Sequence, residues 1–108
     1  MEVNAAIEGP LAEIVDRIKK VAQPRQVILF GSAARGEMGE NSDFDLLVVV
    51  SAGTHRRRMA QAIYQSLVGV GFAADIIVVT DEDLKNYRNN PGMVIKPALD
   101  EGKLLYAA

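Results

Sequence analysis

Residues 29–50 read LFGSAARGEMGENSDFDLLVVV, and their pattern decides the fold. Gln26 to Phe30 form a short β-branched and aromatic run, which predicts a strand ending at Gly31. Residues 31–42, GSAARGEMGENS, are rich in glycine and small polar side chains and predict a loop with one helical turn at most. A second strand is expected from Asp43 to Val50. Its Leu46–Val50 part is continuously apolar, as befits a central strand covered on both faces. Alternate residues of a strand face one way, so Asp43 and Asp45 project together while Phe44 turns to the other side.

Upstream, Leu11, Ile14, Val15, Ile18 and Val21 recur at helical spacing. Pro10 fits the first turn of that helix with Gly9 as cap, and Gln23-Pro24 stops it. Downstream, residues 54–70 predict a second long helix with Met59, Ile63, Leu67 and Val70 on one stripe. Gly71 is its expected C-terminal cap. Ala74 to Thr80 make a third strand, and Thr80 with Asp83 has the spacing of a capping box opening another helix. Asn90-Pro91 can start a last helix that Gly102 ends, before a short edge strand from Lys103 to Tyr106. The whole, residues 1–108, reads as one α/β (α+β) domain, a small mixed β-sheet flanked by helices.

The connections predict which residues meet. A short link between strands one and two favours antiparallel pairing, which returns Asp43 to Gly31-Ser32. A helical crossover from strand two to strand three favours parallel pairing, which sets Asp75 at the same sheet edge as Asp43 and Asp45. Clustered carboxylates repel one another unless a cation neutralises them. An oxygen-only donor set suits Mg²⁺ or Mn²⁺. The glycine allows close backbone approach to a polyphosphate, and the serine hydroxyl and exposed amides can donate to it. This grouping is what phosphoryl and nucleotidyl transfer requires, with Asp75 both a metal ligand and a candidate proton acceptor. A P-loop is rejected: Gly31 and Gly36 have its glycine spacing, but Glu37-Met38 stand where Lys and Ser or Thr are needed.

Composition narrows the alternatives. Twelve Lys and Arg oppose fourteen Asp and Glu for a net charge of −2, so general nucleic-acid binding is not expected. With no cysteine and a single histidine, His55, the chain has no disulfide, thiolate or multi-histidine metal chemistry. No apolar run is long enough for a membrane span, and the opening MEVNAAIEGP lacks the basic-then-apolar layout of a signal peptide. A soluble, cytoplasmic protein with no membrane association is the expectation.

Glycine-serine, ten residues and DFD, in the local form GSxARGE…SDFDLLV, resemble the DNA polymerase beta nucleotidyltransferase superfamily. More narrowly, the chain is similar to minimal nucleotidyltransferases, single domains of about this length, from its first helix through Asp75 to the closing EGKLLY. The resemblance implies a nucleotidyltransferase fold, with Gly31 and Ser32 on nucleotide phosphates and Asp43, Asp45 and Asp75 on metal. Ala33 departs from the arginine often found there, and Arg35 is a candidate to replace it in binding phosphate. The resemblance further implies a HEPN-domain partner in a toxin–antitoxin pair, with AMP moved from ATP, the nucleoside triphosphate donor, to a tyrosine on that toxin. Two alternatives stay open: a non-catalytic antitoxin that masks its partner by binding, and transfer to a small molecule such as an aminoglycoside. A homo-oligomer is a further open alternative.

Several residues have ordinary structural readings beside these. Gly31-Ser32 can be a plain strand-to-loop turn, Asp43 and Asp45 a capped and solvated strand start, Asp75 a solvated strand-end acid, and Arg35 a loop cation. His55-Arg56-Arg57-Arg58 falls at a helix N-terminus, where the macrodipole disfavours cations, and reads as a solvated helix face, with contact to an acidic partner or RNA as the alternative. Tyr64 and Leu67 read as core or rim. Tyr106 reads as edge packing rather than a modification acceptor.

Overall fold

The structure, a computed structural model, describes residues 9–34, 44–87 and 100–108. In chain order the elements are α1 (Gly9–Ala22), β1 (Gln26–Phe30), α2 (Gly31–Ala34), β2 (Phe44–Val50), α3 (Arg56–Ser66), β3 (Ala74–Thr80), α4 (Asp81–Tyr87) and β4 (Lys103–Ala107). Among the described residues they build a four-stranded sheet in the order β3-β2-β1-β4. β1 runs antiparallel to β2, and β2 and β3 are parallel, as the link lengths predict; β4 joins the other edge of β1, also antiparallel.

The continuous apolar run of β2 is explained by what covers it. Leu46 to Val50 are each at most 1% exposed. One face of the sheet, carrying Val27, Leu29, Phe44, Leu46 and Val48, packs with Ile14 and Ile18 of α1, Ile63 of α3 and Leu67 just after it. The other face, carrying Ile28, Leu47, Val49 and Val79, packs with Leu84 and Tyr87 of α4. Burying such side chains from water is worth roughly 1.5–3 kcal/mol each, which makes β2 the spine of the domain. No described helix is long and apolar enough to cross a membrane.

The helix ends follow local chemistry. α1 stops where Gln23 takes a left-handed conformation, φ 46°, its N–H donating to the Lys19 carbonyl at 3.2 Å before Pro24. The helical stripe of α1 is shifted at its end: Val21 is exposed and Ala22 is buried in its place. α3 is shorter than residues 54–70. It closes at Ser66, whose hydroxyl donates to the Ile63 carbonyl at 2.7 Å, and Arg17 of α1 donates to the carbonyls of Ser66 and Val68 at 2.9 and 3.0 Å. A guanidinium from a neighbouring helix thus satisfies acceptors that another helical turn would have used. Gly69 and Gly71, with φ 85° and 87°, both carry the chain round beyond the helix, so Gly71 turns the chain but is not the helix cap expected there.

At its start, α3 is capped by His55, whose Nδ1 accepts from the Arg58 amide at 3.2 Å. The Thr80–Asp83 capping box forms: Thr80 N–H donates to Asp83 Oδ2 at 2.9 Å and Asp83 N–H to Thr80 Oγ1 at 3.1 Å. The last helix expected from Asn90-Pro91 falls mostly on 88–99, outside the described residues; Asp100 and Glu101 are helical just before Gly102. β4 forms the expected edge strand. There Tyr106 is half-buried with Lys19 Nζ 4.7 Å from its ring centroid, as edge packing requires.

Candidate active site

The sheet assembles the site by register. Phe30, the last residue of β1, pairs with Asp45, so the chain leaves the sheet at Gly31 directly beside that carboxylate. Asp45 in turn pairs with Asp75 across the parallel β2–β3 ladder. Residues paired in this way lie on the same face, and neighbouring strands are about 4.8 Å apart. The pleat also separates Asp45 from its neighbour: Phe44 is buried in the cluster beneath α1 and α3, and its ring stands 6.3 Å from that of Phe72.

Gly31 opens α2 with φ 73°, a left-handed conformation that side chains rarely adopt. A Cβ built there would overlap Asp45 Oδ2 and come within 3.1 Å of its Cγ. The backbone turn and the carboxylate are therefore nested, and only glycine permits it. Asp45 is half-buried under this turn, whereas Asp75 is exposed at the start of β3.

Asp75 has a partner that sequence reasoning missed. Tyr64 of α3 reaches the outer edge of β3, where its hydroxyl accepts from the Ile76 N–H at 2.9 Å and donates to Asp75 Oδ1 at 3.3 Å. The sequence marks Tyr64 only as core or rim. The available signal was topological: the crossover helix lies over the strand it leads into, and an edge strand has N–H groups that need acceptors.

Of the residues expected in the site, Gly31, Asp45 and Asp75 are brought together, and Ser32 lies in the α2 turn next to Gly31. Asp43 and Arg35 lie outside the described residues. Among the described residues no group of three or more His, Cys, Asp or Glu side chains is placed to hold a metal. Asp45 and Asp75 supply two carboxylates of the expected three. Their donors are oxygen only, beside a turn that leaves no room for a Cβ, and this fits a hard divalent cation.

The arginine-rich turn belongs to the other end of the sheet. Arg56, Arg57 and Arg58 follow the C-terminal end of β2, whereas Asp45 lies near its start. Strands of this length span roughly 20 Å. Arg56 pairs with Asp83 at 3.3 Å, and the arginines are exposed, as a solvated helix face predicts. A cleft of about 470 Å³ there is lined by Thr54, His55, Arg56, Arg57 and Val78, apart from the carboxylates.

Comparison with known proteins agrees with this geometry. A family model described as a nucleotidyltransferase domain matches residues 11–105. A search of curated proteins finds no match. Among solved structures, a crystal structure of a toxin–antitoxin with AMP-PNP is similar in fold, with a TM-score of 0.53 and 19% sequence identity over 89% of this chain and 73% of that one.

Proposed function

Because the chain belongs to the nucleotidyltransferase domain family, we propose that it transfers AMP from ATP to a tyrosine of a HEPN-domain toxin, and thereby acts as an antitoxin. The observation that carries the reading is the in-register pair Asp45–Asp75 beside the left-handed turn at Gly31. The similarity to a toxin–antitoxin solved with AMP-PNP, an ATP analogue, supports both the adenine nucleotide and the kind of partner.

Asp43, Asp45 and Asp75 would hold the metal, Mg²⁺ or Mn²⁺. When bound, it supplies charge neutralisation of the triphosphate and a more acidic acceptor hydroxyl. The chain itself provides positioning. Gly31 would let the backbone lie against the nucleotide phosphates, and the resemblance assigns Ser32 and Arg35 to donate to them. Asp45, half-buried, is the fixed ligand, and Asp75, exposed, stands where an incoming hydroxyl can reach it. In the reaction the acceptor oxygen bonds to the α-phosphorus and the bond from that phosphorus to the bridging oxygen breaks. Pyrophosphate leaves, and the hydroxyl proton passes to the Asp75 carboxylate.

A second reading, an antitoxin that masks its partner by contact alone, is favoured by the apolar side chains of Val68 and Phe72, which are 77% and 51% exposed. One experiment separates the two. Purified protein, Mg²⁺ and α-labelled ATP are incubated with the co-encoded neighbour, and label on protein is followed by gel and mass spectrometry. The expected result is a labelled tyrosine on the neighbour, lost in the Asp43→Asn/Asp45→Asn variant. A stable complex without label supports masking, and transfer retained by that variant overturns the assignment of the site.

A further inference from the structure

We infer that Tyr64 is a positioning residue for Asp75, a role that rests on the reading of Asp75 as a metal ligand. β3 is an outer strand of the sheet, and its Ile76 N–H faces away from β2. Tyr64 Oη accepts that N–H at 2.9 Å, the shortest of its three contacts, so the backbone fixes the oxygen in place. A phenol has one proton to give. Asp75 Oδ1 at 3.3 Å is nearer than the Ile76 carbonyl at 3.5 Å and, as a carboxylate, is the stronger acceptor.

The consequence concerns an exposed side chain. Asp75 begins a strand at the surface, where a carboxylate would otherwise exchange among rotamers. Tyr64 holds one of its oxygens and leaves the other free of that bond. This is the arrangement by which an outer hydrogen bond orients a ligating carboxylate, and loss of such a partner typically costs 10- to 100-fold in metal affinity or activity. The tether also crosses layers. Tyr64 belongs to the helix that packs, through Ile63 and the Leu67 just after it, on the sheet face opposite the one that carries Asp75. The orientation of the carboxylate is thereby tied to the packing of α3.

The test is Mn²⁺ binding, followed by electron paramagnetic resonance in the presence of AMP-PNP, for the full chain and for Tyr64→Phe, Asp75→Asn and the double variant. We expect Tyr64→Phe to weaken Mn²⁺ about 10-fold. The double variant should bind no more weakly than Asp75→Asn alone, since one residue acts through the other. The rise in unfolding midpoint with added Mn²⁺ gives a second measurement on the same proteins, and reads metal affinity even where a variant has lost stability. A purely structural tyrosine would lower the midpoint without metal and leave Mn²⁺ affinity unchanged. Weakening by Asp75→Asn with none by Tyr64→Phe, or additive losses in the double variant, overturns the inference alone. Unchanged affinity in Asp75→Asn overturns the ligand reading on which it rests.

Discussion

Gly31 and Asp45 occupy one another's space. A Cβ at position 31 would overlap Asp45 Oδ2, and the backbone there has φ 73°. Gly31 opens α2 directly after β1, Asp45 lies on β2, and the antiparallel pairing that ends at Phe30–Asp45 brings them together. Alanine at 31 therefore meets two penalties: a left-handed backbone, roughly 1–2 kcal/mol, and displacement of the carboxylate. Gly31→Ala is expected to lower stability by about 2 kcal/mol in urea unfolding and to abolish label transfer.

Asp45→Asn keeps the shape of the side chain and removes its charge. Loss of an outer partner of a metal ligand costs about 10- to 100-fold, so under the proposed function, where Asp45 is itself a ligand, its loss should lower transfer by at least about 100-fold. The unfolding midpoint in urea should stay close to that of the parent protein. A variant that unfolds readily would show instead that Asp45 holds the strand junction together.

Asp83 is the counterexample, an acid that serves the fold and not the site. It accepts from the Thr80 N–H and pairs with exposed Arg56 at 3.3 Å. Asp83→Ala should cost about 1 kcal/mol of stability through the lost cap. Asp83→Asn, which keeps an acceptor, should cost at most about 0.5 kcal/mol, since exposed ion pairs contribute little. Neither should change transfer measured on folded protein, because both changes lie at the far end of the sheet from Asp45.

Gln23 ends α1 with φ 46°. The left-handed conformation costs a residue with a side chain roughly 1–2 kcal/mol, partly offset by the extra freedom of glycine in the unfolded chain. Gln23→Gly is expected to stabilise the protein by about 0.5 kcal/mol, read as a higher urea midpoint at unchanged slope.

The strands, their directions and the meeting of Asp45 with Asp75 were legible in the sequence, because each follows from short-range rules. β-branched runs mark strands, link length sets pairing direction, and alternation fixes the face. What escaped depends on contacts between elements. α3 ends four residues early because Arg17, forty-nine positions before Ser66, caps its carbonyls. Val21 is exposed because Ala22, not Val21, faces the core in the last turn of α1. Tyr64 gains its role from the rotation of α3 over an edge strand, which no local pattern encodes. Asp43, which the spacing couples to Asp45, lies outside the described residues, as does Arg35.

Under the proposed function, the pairing of Asp45 with Asp75 also makes chemistry a measure of correct folding. A slip of β3 by one residue against β2 would set Ala74 or Ile76 beside Asp45 and turn Asp75 to the opposite face. The same slip would carry Ile76 out of one apolar cluster and Val79 out of the other. A misaligned sheet would thus lose its candidate carboxylate and its core in one step. Under the proposed function, turnover per folded molecule would be a direct reading of strand alignment.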